Sequence, residues 1–224
     1  NYPIFAISKN HKYSLDLNFQ RLENCRPGYG YNFLDKEFND KNFIRLNDLN
    51  KNKLIKIFDE NFFKNKLKDQ LFDNYYFNHL SWSPNNKNFI VYLICTKTRK
   101  NKLVYFFDFN SCMIIPHLKN ISHHEWIDNH KIFFYGEVNN SKNFFTYDLA
   151  NFEFKKLNFT NSDLDGHPHT VDKNNFVIDT YVNKFHERNY FFNCKNKLYS
   201  LSTLMTDNQL SRDGIELLKI LDSI

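Results

Sequence analysis

Three histidines recur at one interval: His79, His123 and His167 are each 44 residues apart. A fourth, His169, stands two places beyond the third, which puts both on the same side of an extended chain. Imidazoles converging from neighbouring repeats can share one metal ion with an open coordination position, a set suited to Mn, Fe, Ni or Zn. They suit a structural role equally well, each ring hydrogen-bonding to the next repeat, and residue type alone leaves both readings open. His11, His117, His124 and His130 fall off the interval and are expected on the surface or in loops.

Two arginines echo the same spacing. Arg99 follows His79 by 20 residues and Arg188 follows His167 by 21. A guanidinium on a channel-facing loop grips a carboxylate through its two-pronged donor geometry; a solvated loop arginine is the alternative. A third group, Arg21 and Arg26 with Tyr29 and Tyr31, surrounds the run Arg26-Pro27-Gly28-Tyr29-Gly30-Tyr31. It forms a compact cationic and aromatic loop of the kind that stacks on a sugar, or a structural plug across one face of the fold.

The elements that must position these residues follow from laying the chain over itself. HLSWSPNNKNFIVYL begins at His79, HHEWIDNHKIFFYGE at His123 and HPHTVDKNNFVIDTY at His167. Each copy has a histidine, a large or β-branched residue three places on (Trp82, Trp126, Thr170), a polar turn and an alternating strand such as Phe89-Ile90-Val91-Tyr92. A strand pair then completes the unit: Leu103 to Phe109 and onward, Phe144 to Leu149 with Glu153 to Leu157, and Asn189 to Asn193 with Lys197 to Leu201. Four short strands at this period predict a propeller blade, whose usual repeat is about 40 to 45 residues. Weaker copies cover Ala6 to Tyr13 with Ile44 to Phe58, and the turn of a further unit at Leu210 to Gly214.

The predicted fold class is therefore all-β: a single β-propeller domain over residues 1–224, of about four four-stranded antiparallel blades plus part of a fifth. A propeller must hide the edges of its first and last blades, so the blades are expected to belong to a larger ring or to close as a four-bladed one. The first blade carries an insertion from Asn18 to Lys41, and Asn61 to Asp73 has apolar residues at helical spacing. The final Gly214 to Ile224 reads as helix or strand.

Composition agrees with strands. Aromatic residues make up 18% of the chain, with 25 Phe and 13 Tyr, types that favour pleated, half-buried surfaces. The net charge of +5 is mild and its lysines are scattered apart from the run Lys51 to Lys68, which favours anionic partners in general but lacks the basic stripe of a nucleic-acid binder. Cys25, Cys95, Cys112 and Cys194 show neither CxxC spacing nor a compact framework and read as free buried thiols in a reducing compartment. No apolar run approaches the ~20 residues of a membrane span, and no signal peptide is visible, so the expected location is cytoplasmic.

The stretches AISKNHKYSLDLNFQRLENCRPGYGY, FNHLSWSPNNKNF, ISHHEW and DGHPHTVDKNNFVIDTY resemble bacterial TolB-like propellers found with polysaccharide-related genes and similar to oligogalacturonate lyases. The resemblance implies a divalent metal, typically manganese, held by His123, His167 and His169, and cleavage of acidic oligosaccharides by β-elimination. It implies that Arg99 or Arg188 holds a uronate carboxylate. Removing the proton beside that carboxylate builds enolate-like charge, which a metal and an arginine stabilise, while neutral His79 or His124 serves as base. The sequence departs from the family where a glutamine shortly before the HPH pair is replaced by Leu164, and no further histidine motif precedes Leu210. The rival expectation is a non-catalytic propeller whose rigid funnel binds a glycan or a partner protein, with the Arg26–Tyr31 loop as the contact surface.

Overall fold

A computed structural model describes residues 3–31, 40–157, 165–173 and 175–179, together with the backbone of 187–194 and 197–204. Among the described residues the alternating segments form fifteen antiparallel strands. The first unit comprises β1 (Ala6–Ile7), β2 (Tyr13–Leu17), β3 (Phe43–Asp48) and β4 (Lys53–Asp59), paired in that order. The second and third share one seven-stranded sheet built from β5 (Tyr75–Trp82), β6 (Phe89–Cys95), β7 (Asn101–Phe106), β8 (Cys112–Trp126), β9 (Lys131–Val138), β10 (Ser141–Asp148) and β11 (Phe154–Lys156). The fourth pairs β12 (Pro168–Thr170), β13 (Phe176–Asp179), β14 (Glu187–Cys194) and β15 (Lys197–Leu204). These are the predicted four-stranded blades of a β-propeller. The turn expected at Leu210 to Gly214 and the segment to Ile224 lie outside the described residues.

The long β8 joins two blades. Its first half pairs with β7 (Phe106 with Cys112, Val104 with Ile114), and its second half pairs with β9 (His123 with Tyr135, Trp126 with Ile132). Between them the register shifts, and His117 (φ 63°) and Asn120 (φ 51°) adopt the left-handed backbone that lets the strand turn from rim to centre.

Phenylalanine supplies the packing. Phe106 is fully buried, stacks on Phe89 at 4.1 Å between ring centres and meets Phe58 edge-on at 4.9 Å, so β4, β6 and β7 share one core. Each such ring contributes about 2–3 kcal/mol of hydrophobic burial. Phe133, Phe144 and Phe176 continue the packing into the fourth unit. The repeat is also visible in polar ties: Trp126 Nε1 donates to Ser81 Oγ at 2.6 Å, and Thr170 Oγ1 donates to the Trp126 carbonyl at 3.2 Å.

Among the described residues two α-helices interrupt the strands. The helical spacing after Asn61 appears as α2 (Glu60–Leu67), started by Asp59 accepting from the Phe62 N–H at 2.9 Å and followed by a single 3-10 turn at Lys68–Gln70. The insertion after Asn18 carries α1 (Phe19–Cys25), capped by Asn18, which accepts from the Arg21 N–H at 3.0 Å. Cys25, Cys95 and Cys112 are free, with Cys112 buried and the other two half-buried. Among the described residues no helix is long and apolar enough to cross a membrane.

Candidate functional site

His79 is set by a break in its own strand. The pairing of β5 with β6 shifts between Asn78 and Ser81, and at the bulge His79 takes φ 54°, with its N–H held by the Asn78 side chain at 2.8 Å. A bulge of this kind re-aims a side chain, and a bulky residue with positive φ marks a place where the fold sustains local strain. His123 sits in the inner half of β8, just past the register shift, where the Asn101 side chain holds both the N–H and the carbonyl of Ile121 at 2.8 Å. His167 precedes β12, and both its N–H (2.6 Å) and Nδ1 (2.8 Å) meet Asp179 Oδ1 across the hairpin.

The three repeat-related imidazoles do meet. The rings of His79 and His123 lie 5.7 Å apart, edge to face, and those of His123 and His167 lie 4.3 Å apart. They form a row along one wall of a cavity of about 520 Å³. Arg26 and Tyr29 contribute from the insertion, Arg99 and Tyr76 from the second blade, and Tyr92 from β6. The Arg26 guanidinium stacks 3.8 Å over the Tyr29 ring and donates to its hydroxyl at 2.9 Å. Arg99, in the turn ahead of β7 with φ 61°, donates to the Cys25 carbonyl at 2.5 Å and to the Tyr76 hydroxyl at 3.1 Å. None of the described lining residues is acidic.

Burial and mutual proximity keep His79 and His123 neutral. The His79 pKa is pushed down to about 4 by burial, with His123 and Arg26 adding to the shift. His123 is also lowered to about 4, by burial and then His167, with Asp179 partly opposing. Behind the wall, the Tyr92 hydroxyl and His124 Nδ1 are 2.7 Å apart, and burial lowers His124 to about 3. The Tyr92 phenol is raised by burial and by the nearby Asp165 charge. With His124 neutral and Tyr92 protonated, a single hydrogen bond joins the hydroxyl and Nδ1 at neutral pH.

Several candidates fall elsewhere. Arg21 does not line the cavity: it is buried, and it donates to the Tyr75 carbonyl (2.6 Å from Nη2), Asn74 (2.8 Å) and Asn42 (3.0 Å) and pairs with Asp40, so it ties α1 to the second blade and is removed from the substrate-binding set. Tyr31 packs its ring 5.2 Å from Phe19 and is absent from the lining. His124, expected in a loop or on the surface, lies within β8 and reaches the cavity only through Tyr92. Arg188 falls inside β14, one residue past its start and not ahead of it, and its side chain lies outside the described residues, as does Leu164.

Of the expected metal set, His123 and His167 are brought together, and His169 is exposed and away from the cavity lining. His167 Nδ1 meets Asp179, a carboxylate–imidazole pairing of the kind that also orients metal-bound histidines. Among the described residues no group of three or more His, Cys, Asp or Glu side chains is placed to hold an ion. Tyr76, Tyr92, Asn101 and Ser122 join the lining without having been singled out from the sequence; Tyr92 was legible only as part of a strand.

TolB from Acinetobacter baumannii superposes with a TM-score of 0.54 at 14% identity, over 89% of this chain and 43% of that one. The fold is a TolB-like β-propeller. The propeller domain of the trilobed protease from Pyrococcus furiosus (TM-score 0.52, 12% identity, 85% of this chain and 54% of that one) and a putative TolB from Agrobacterium tumefaciens (0.50, 10%, 88% and 63%) share it. The chain thus spans less than two thirds of the length of these propeller proteins, and at such identities the likeness concerns the fold alone. No family model and no curated protein matches the sequence.

Proposed function

We propose that the propeller binds a carboxylated ring ligand, an acidic oligosaccharide, in the cavity at its histidine row. The observation that carries this reading is the lining itself: Arg26 and Arg99, three imidazoles and three tyrosines, with no acidic residue among the described members. Arginine recognises carboxylates with two parallel donors, and tyrosine faces and edges suit sugar rings. The volume of about 520 Å³ lies within the range of small-ligand sites. Because His79 and His123 are neutral near pH 7, the arginines supply the attraction and the imidazoles supply hydrogen bonds.

A second reading, β-elimination, is favoured by one observation. His79 faces the cavity and is unprotonated near pH 7, so it is placed to act as base on a bound uronate while Arg99 steadies its carboxylate, although a pKa of about 4 makes it a weak base.

Calorimetric titration with trigalacturonate and with a neutral trisaccharide of similar size tests the binding reading, and ultraviolet absorbance of unsaturated uronate tests elimination. Trigalacturonate alone should bind, and Arg26→Ala should weaken it by about tenfold, the scale of one charge-assisted hydrogen-bond pair. Equal binding of the neutral sugar would contradict the reading. Binding without absorbance change leaves a glycan-binding propeller; absorbance growth that His79→Gln abolishes makes it a lyase.

A further inference from the structure

In the insertion between β2 and β3, residues 19–31 form a short helix followed by a closely hydrogen-bonded turn. The Glu23 carboxylate, near the end of α1, accepts from the Gly28 N–H at 2.9 Å and from the Gly30 N–H at 3.0 Å, both through Oε2. Two backbone donors closing on one carboxylate form a nest, a charge-assisted arrangement stronger than a neutral hydrogen bond. The glycines are required. Gly28 has φ +87°, and a Cβ on Gly30 would collide with the Phe19 carbonyl and the Glu23 amide nitrogen. The turn is pinned from both sides: the Arg26 N–H donates to the Leu22 carbonyl at 2.7 Å, and the Tyr31 N–H donates to that of Phe19 at 3.2 Å.

Between these fixed points stand Arg26 and Tyr29, the two lining residues that the insertion contributes. We propose that Glu23 is a positioning residue for ligand recognition: its carboxylate locks the turn so that the stacked Arg26–Tyr29 pair is held ready at the cavity for the carboxylate and ring face of one acidic sugar. The ligand clause rests on the binding reading above. The gain is pre-organisation. A guanidinium already stacked on an aromatic ring, on a turn already closed, loses little freedom on binding. Since Glu23 is absent from the described lining, it acts through Arg26 and not by touching the ligand.

Two measurements on the full chain test this. Hydrogen exchange without ligand should show the Gly28 and Gly30 amides exchanging at least about tenfold faster in Glu23→Ala, with the strand amides unchanged. Calorimetry with trigalacturonate should show Glu23→Ala binding about tenfold more weakly. Glu23→Gln should fall between it and wild type, because the amide oxygen can still accept both N–H groups without the charge. Adding Glu23→Ala to Arg26→Ala should cause no further loss. Unchanged exchange at the two glycines, wild-type affinity in Glu23→Ala, or losses that add in the double variant would each overturn the proposal. A wild-type chain that ignores trigalacturonate overturns the ligand reading itself, and the exchange pattern still reports separately on the latch.

Discussion

Neutral imidazoles at His79 and His123 make stability depend on pH in a definite direction. Both have folded pKa values of about 4, below the ordinary 6.5, so between those values the unfolded chain binds protons that the folded chain refuses. Stability is therefore complete above about pH 6.5 and declines as pH falls toward 4. A melting series across that window should show the decline, and His79→Gln should make it shallower; a flat profile would mean that the rings are solvated. The backbone at His79 offers a second check. With φ at 54°, His79→Gly should be more stable than His79→Ala by about 1 kcal/mol in urea denaturation, the ordinary cost of a Cβ in the left-handed region. The positions of His79, His123 and His167 were legible because a repeat places equal residues at equal points. The alternation read for His167 and His169 holds, both being exposed on either side of buried Pro168, but only His167 lines the cavity.

At the level of elements, strand pairs were readable from alternation and turn residues, and α2 from its apolar spacing, though the helix starts at Glu60 behind the Asp59 cap and ends at Leu67, short of the expected Asp73. The helix α1 was not, since seven residues give too few turns for a period, and without it nothing in the text turns Arg21 inward while leaving Arg26 at the cavity. That difference has a measurable consequence. Arg21→Met would leave the buried Tyr75 carbonyl and Asn42 without their charged donor and should cost about 2–3 kcal/mol of stability. The shared core of the first two blades is testable in the same way. Phe106→Ala should lose about 3–5 kcal/mol, because Phe58, Phe63 and Phe89 close around a fully buried ring. A loss under about 1 kcal/mol would mean that these blades do not pack as described.

Over the whole molecule, the propeller brings residues of three blades and an insertion to one cavity, and the proposed binding depends on that convergence more than on any single residue. The net charge of +5 is too diffuse to choose a ligand, but Arg26 and Arg99 concentrate positive charge where the described lining has no acid. Affinity for an acidic sugar should accordingly fall as salt rises from about 0.05 to 0.5 M, over which the screening length shortens severalfold. The most direct test watches the imidazoles themselves. In a trigalacturonate titration followed by imidazole proton and nitrogen resonances, those of His79, His123 and His167 should shift together and saturate with a single dissociation constant, while those of His11, His117 and His130 stay in place. Shifts confined to the latter three, or none at all at saturating ligand, would contradict the account.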